Sequence, residues 1–165
     1  MLSAAMLQER IFEISNKNEF EAVALEVFEY QFTNNKVYGE FCKYLDKEPG
    51  RVNTLEEIPF LPIEFFKSKN IVSNSQPPEI IFTSSGTTST ATSKHHVTDL
   101  ALYEKSFLKT FTEFYGAPSD YIFLALLPSY LERKGSSLIY MADYLIKESG
   151  NIESGFYLNN LDELA

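Results

Sequence analysis

The sequence predicts an α/β fold: an N-terminal helical segment, then alternating β-α-β units forming a mostly parallel sheet that is incomplete at the C-terminus. Three observations lead there. Apolar residues at helical spacing dominate the first third of the chain. From residue 79 onward, short apolar runs alternate with helical patterns. The connections between those runs are long, and long connections join parallel strands by crossovers. The character changes at Pro77-Pro78. The expected organisation is therefore a helical segment over 1–76 and an α/β nucleotide-binding part over 77–165, together in one compact unit.

Composition bounds the partners. With 44% hydrophobic and 15% aromatic residues, 165 residues build a globular core rather than a disordered chain. A net charge of −9 argues against nucleic acid and anionic membrane, since both reward a basic face. No apolar run nears the ~20 residues that span a bilayer. Met1 to Phe12 lacks the basic-then-apolar order of a signal peptide. One cysteine, Cys42, excludes an internal disulfide, and Cys42, His95 and His96 are too few for a zinc site of the usual Cys/His kind. The expectation is a cytoplasmic acidic protein with no metal bound by its own side chains.

The elements follow in order. Residues 3–15 read as a helix with Ser3 as its cap. Asn18 reads as the cap of a second helix, with Glu21 three residues on and Phe20, Val23, Ala24, Val27 and Phe28 on one face. Residues 36–46 make a third, its buried side formed by Val37, Phe41, Cys42, Tyr44 and Leu45. Cys42 is there a small core residue, since no basic neighbour lowers its pKa. Pro49-Gly50 breaks the pattern, and Thr54-Leu55-Glu56-Glu57 starts a turn that Pro59 stops. Pro62 opens a short helix with Ile63, Phe65 and Phe66. The aromatic run Ile58 to Phe66 reads as a packed connector.

Glu79 to Thr83 is a short β-rich run. Thr98-Asp99 cap a helix to about Tyr115, with Leu100, Tyr103, Phe107, Phe111 and Phe114 inward, and Gly116-Ala117-Pro118 stop it. Tyr121 to Leu127 is continuously apolar, the mark of a strand covered on both faces. Ser136-Ser137 start a helix that Gly150 ends, and Gly155 to Leu158 reads as a further strand. Asn159-Asn160 and Asp162-Glu163 suit the start of another helix, and the chain stops within its first turn. The expectation is the front part of a longer protein.

The chemistry concentrates between the first strand and the helix after it. Thr83 to Lys94 is almost all hydroxyl, glycine or lysine, and no Asp or Glu occurs from Ile80 to Thr98. Hydroxyls and backbone N–H groups offer several donors to an anion, Gly86 lets backbone approach closely, and Lys94 adds a cation. The strand, polar loop, helix layout suits a phosphate cradle. It is not a Walker loop, which needs two glycines, nor a dinucleotide fingerprint, which needs three. The alternative is a solvated Ser/Thr loop.

Thr83-Ser84-Ser85-Gly86-Thr87-Thr88-Ser89 resembles the phosphate-binding signature of adenylate-forming enzymes, the acyl-CoA synthetase and luciferase superfamily. Ser89 stands where the common signature has glycine. The resemblance is nearest to the acyl-protein synthetases of bacterial bioluminescence, of the fatty-acid reductase type. It extends through Lys94-His95-His96-Val97-Thr98-Asp99-Leu100, Tyr103 to Phe107, Ala125 to Arg133, Gly135 to Leu138 and Ser154-Gly155-Phe156, about half the chain.

The resemblance implies an ATP-dependent ligase reaction. A carboxylate, such as a fatty acid, attacks the α-phosphate of ATP. An acyl-adenylate and pyrophosphate form, and a thiol or an acyl reductase partner then takes the acyl group. It also implies Mg2+ on the phosphates. Thr83, Ser84, Ser85, Gly86, Thr87, Thr88 and Ser89 would hold the pyrophosphate end, with Lys94 as loop lysine. His95, His96 and Arg133 are candidates for the substrate side, Arg133 through a loop over 128–135. No catalytic residue is assigned, because the family's later motifs for ribose, adenine and a catalytic lysine have no counterpart in these 165 residues. Two other readings stand beside this one. The first is a non-catalytic assembly module that binds a partner or a second copy. The second is a domain for some other phosphorylated ligand.

Overall fold

A computed structural model gives the structure; it describes residues 3–84, 92–128 and 135–158. The chain divides into two compact units, Met1–Pro77 and Pro78–Ala165.

The first unit is helical. Ser3 Oγ accepts from Met6 N and starts α1 (Ala4–Glu13). The cap of α2 (Lys17–Asn34) is Asn16 rather than Asn18. Its Oδ1 accepts from Glu19 N, while the Glu19 carboxylate reaches back to Ser15 N and Oγ. The exchange resembles a capping box, but Glu19 reaches Ser15, one residue before the cap, and it lies two residues earlier than spacing suggested. Asn35 joins α2 to α3 (Lys36–Tyr44): its N–H donates to Gln31 O and its side chain accepts from Tyr38 N. An Arg10–Glu26 ion pair ties α1 to α2.

The core of this unit is Phe28, Tyr38, Cys42 and Val52, with Phe32, Phe41, Ile58 and Leu61 packed on it. Tyr38, Gly39 and Cys42 face inward on α3, whereas Tyr44 and Leu45, expected inside, are exposed. Cys42 is completely buried, and burial pushes its thiol pKa up, as expected of an inert core residue. The Tyr38 hydroxyl donates to Pro59 O at 2.7 Å, which pins the proline-punctuated connector to the core. In that connector Phe65 stacks edge-on against Phe41 and begins a single turn, α4 (Phe65–Ser68), while Phe60 and Ile63 stay exposed.

The second unit overturns the expected fold class. About 53% of the described residues are helical, and the strands form two separate two-stranded sheets rather than one mostly parallel sheet. The first sheet is antiparallel: β1 (Ile80–Thr83) pairs with β2 (Lys94–Val97) in the register Ile80↔Val97, Ile81↔His96, Phe82↔His95, Thr83↔Lys94. The polar loop therefore returns as a strand before the helix begins. Its two ends lie close enough for a hairpin, so no crossover is needed. The second sheet, β3 (Leu124–Ala125) with β4 (Gly155–Phe156), is parallel, with α6 (Ser137–Ser149) between its strands in sequence.

Helix boundaries in this unit follow local chemistry. Asp99 Oδ1 accepts from Leu102 N and Glu79 Oε2 from Leu100 N, so two carboxylates serve the start of α5 (Leu100–Tyr115). Gly116 and Gly150 follow α5 and α6 with positive φ. The run Tyr121 to Leu127 is not covered on both faces: only Leu124 and Ala125 are strand, and Ile122, Leu124 and Leu126 are about half exposed. Phe114, expected inside, is 76% exposed at the end of α5. Among the described residues no helix is long and apolar enough to cross a membrane.

The tightest constraint in the first unit is Gly39. A Cβ there would lie 2.5 Å from the carbonyl oxygen of Phe32, so the α2 and α3 backbones touch at this point. Gly39→Ala is expected to cost about 1–3 kcal/mol of stability, read as a lower urea midpoint. An unchanged midpoint would mean that the two helices are free to separate.

Candidate functional site

The candidate site is the loop end of the β1–β2 hairpin, and it is set by how β1 is buried. Phe82 is 4% exposed and packs on Tyr103 and Tyr140, with ring centroids 5.0 and 5.6 Å away. Tyr140 OH donates to Glu104 Oε1 at 2.5 Å, linking α6 to α5 beneath the strand. Successive strand residues point to opposite faces. With Phe82 facing the helices, Ile81 and Thr83 face the other way. In the antiparallel register their partners His96 and Lys94 share that outer face.

The neck of the loop is closed by backbone and hydroxyl groups. Ser84 N donates to Ser93 O, and Ser93 N donates to Ser84 Oγ, both at 3.1 Å. On the other edge of β1, Thr83 N donates to Gly135 O at 2.8 Å. Gly135 has φ +88°, and a Cβ on it would lie 3.3 Å from Thr83 Oγ1 and 3.7 Å from Ile81 O. Gly135 thus lies against the loop end of β1.

Of the predicted site residues, the structure places Thr83 and Ser84 at the end of β1, and Lys94, His95 and His96 on β2. Thr83 and Lys94 stand directly opposite one another. The two histidines part company: His95 pairs with Phe82, whereas His96 pairs with Ile81 on the face of Thr83 and Lys94. Ser85, Gly86, Thr87, Thr88, Ser89 and Arg133 lie outside the described residues. Sequence reasoning passed over Ser93, whose only signal was a hydroxyl at each end of the loop. It also assigned no role to Gly135, although a glycine closing a polar loop is a common sign of positive φ.

The electrostatics suit an anion. Lys94 is exposed and has no ion-pair partner among the described residues. The acidic residues that flank the window, Glu79 and Asp99, both accept amide hydrogens at the start of α5. His96 Nε2 is buried and has no hydrogen-bond partner among the described residues. Among those residues no three His, Cys, Asp or Glu side chains cluster as a metal cage. The donors present fit phosphate oxygens, and a magnesium ion would be held by the phosphates it accompanies. A separate cavity of about 420 Å3 is lined by Lys105, Leu108, Lys109, Thr112 and Glu113, all on α5 and none of them in this site. No family model, curated protein or solved structure matches the chain.

His95 supplies a pH test of the hairpin. Desolvation around the ring, and then repulsion from His96, lower its pKa in the fold. As pH falls, the unfolded chain takes the proton first. The contribution of His95 to stability is therefore complete above about pH 6.5 and is lost as pH drops through the folded-state pKa. His95→Gln is expected to flatten the decline in urea midpoint that starts below about pH 6.5. A decline as steep as in the parent would assign the effect elsewhere.

Proposed function

We propose that this chain holds the phosphates of ATP in an acyl-activating reaction of the acyl-protein-synthetase type. One observation carries the reading. A hydroxyl-rich loop is closed by the Ser84–Ser93 pairing, with Thr83 and Lys94 opposed at its neck and no acidic residue from Ile80 to Thr98. The motif resemblance adds the roles. Thr83, Ser84, Ser85, Gly86, Thr87, Thr88 and Ser89 grip the pyrophosphate end, and Lys94 neutralises it.

In the reaction, a carboxylate oxygen bonds to the α-phosphorus and the bond to the β-phosphate oxygen breaks. The electron pair leaves on pyrophosphate. Donors fixed around the leaving group stabilise that charge without reorganising. Magnesium, when bound, supplies further neutralisation on the phosphates. The groups that hold ribose and adenine and the catalytic lysine of the resembled family have no counterpart in these residues. The reading therefore gives this chain phosphate binding and no turnover by itself.

A second reading, an assembly module, is favoured by the apolar Ile122, Leu124 and Leu126, which are exposed along and beside β3. Thermal unfolding with Mg-ATP and sizing by gel filtration separate the two. The nucleotide reading expects the 165-residue chain to gain thermal stability with millimolar Mg-ATP. A Gly86→Ala, Thr87→Ala, Thr88→Ala variant should lose about tenfold or more in affinity. A nucleotide-independent dimer with no thermal shift would replace it with the assembly reading.

A further inference from the structure

We propose that His96 is a binding residue of this site, donating from Nε2 to a phosphoryl oxygen of the bound anion. The proposal rests on the nucleotide reading above and narrows it to one of two adjacent histidines. Buried side-chain nitrogens almost always have a hydrogen-bond partner, because a desolvated polar atom without one is costly. His96 Nε2 is buried and has none among the described residues.

Its neighbours show what it is suited to meet. Lys94 lies two residues away on the same face of β2, about 7 Å along the strand. Thr83, with its hydroxyl, is the cross-strand partner of Lys94. Ile81, directly across from His96, is partly exposed, so this face is not closed by core packing. A cation, a hydroxyl and an imidazole N–H on one face, in a stretch without carboxylates, match the oxygens of a phosphoryl group.

His95 does not share this role. The register turns it to the face of Phe82, away from Thr83 and Lys94. The source of the phosphoryl group is either a nucleotide or free pyrophosphate, and the experiment tells them apart.

The test follows the imidazole nitrogens of His96 in the 165-residue chain by nitrogen-15 NMR during titration with pyrophosphate, Mg-ATP or butyrate. Affinities for the same ligands are measured for the parent, His96→Ala and His96→Gln. The expected result is a shift of the His96 Nε2 resonance with pyrophosphate or Mg-ATP. His96→Ala should weaken binding by about tenfold. His96→Gln, which keeps an N–H donor near the Nε2 position, should retain most of the affinity. A response to Mg-ATP alone assigns a nucleotide, and a response to both assigns the diphosphate group.

Binding by the parent with an unmoved Nε2 overturns the proposal and leaves the nucleotide reading standing. A His96 response to butyrate alone also overturns the proposal, and the nucleotide reading then stands only if the parent binds Mg-ATP or pyrophosphate. No binding of either phosphate ligand by the parent removes both. The NMR arm uses the unaltered protein, so a variant that fails to fold does not decide the matter.

Discussion

The loop end of the second unit depends on β1 using both of its edges. Ser84 N is given to Ser93 on one side and Thr83 N to Gly135 on the other. Adjacent amides in a strand point to opposite edges, so the alternation of the backbone itself places Ser93 on one side and Gly135 on the other. The side chains obey the same alternation. Phe82 turned toward Tyr103 and Tyr140 obliges Thr83 to turn away from them. A slip of one residue would expose Phe82 and turn the Thr83 side chain inward, so the packing that stabilises the unit also specifies the polar face.

That packing is aromatic and carries polar handles. Phe82, Tyr103, Phe107, Tyr140 and Tyr144 form a chain of ring contacts between β1, α5 and α6. Tyr hydroxyls in such a cluster need acceptors. Tyr140 uses the Glu104 carboxylate and Tyr103 uses Ser137 O at 3.5 Å. Burial raises the Tyr103 pKa, which keeps its hydroxyl a donor at ordinary pH. The carbonyl of Ser137 also belongs to the first turn of α6, close after Gly135 in sequence. The cluster thus positions the helix that follows the second loop as well as the strand before the first.

Features written in neighbouring residues were legible. Ser3, Asp99 and Ser136 start helices and Gly116 and Gly150 end them, because caps are exchanges within four residues. Even the misplaced cap at Asn18 failed only by two residues, since Asn16 with Glu19 offers the same chemistry. What was not legible depends on distant pairing. Lys94-His95-His96-Val97 has no apolar alternation, and it becomes a strand only because residues 80–83 lie beside it. Tyr121 to Leu127 failed in the opposite sense. Its apolar run predicts two covered faces, but among the described residues only β4 pairs with it, across two residues. The site followed the same division: its residue types were readable, whereas the opposition of Thr83 to Lys94 and the separation of His95 from His96 are matters of register.

The anion site proposed here does not contradict a net charge of −9. Screening at physiological salt confines an exposed charge to about 8 Å, so a ligand responds to the residues around it rather than to the total. The total matters for an extended polyanion, which samples the whole surface; a phosphate samples one end of one hairpin. Several acids are moreover committed locally. Glu19, Glu57, Glu79 and Asp99 each accept amide hydrogens at the start of a helix or helical turn. There their charge is partly balanced by the backbone dipoles they cap. For Glu19 and Glu57 the same amides lower the pKa. The acids on either side of the Lys94 window are thus the ones whose charge is turned toward α5. A net charge that disfavours an extended polyanion therefore does not count against the compact phosphate proposed for the end of β1 and β2.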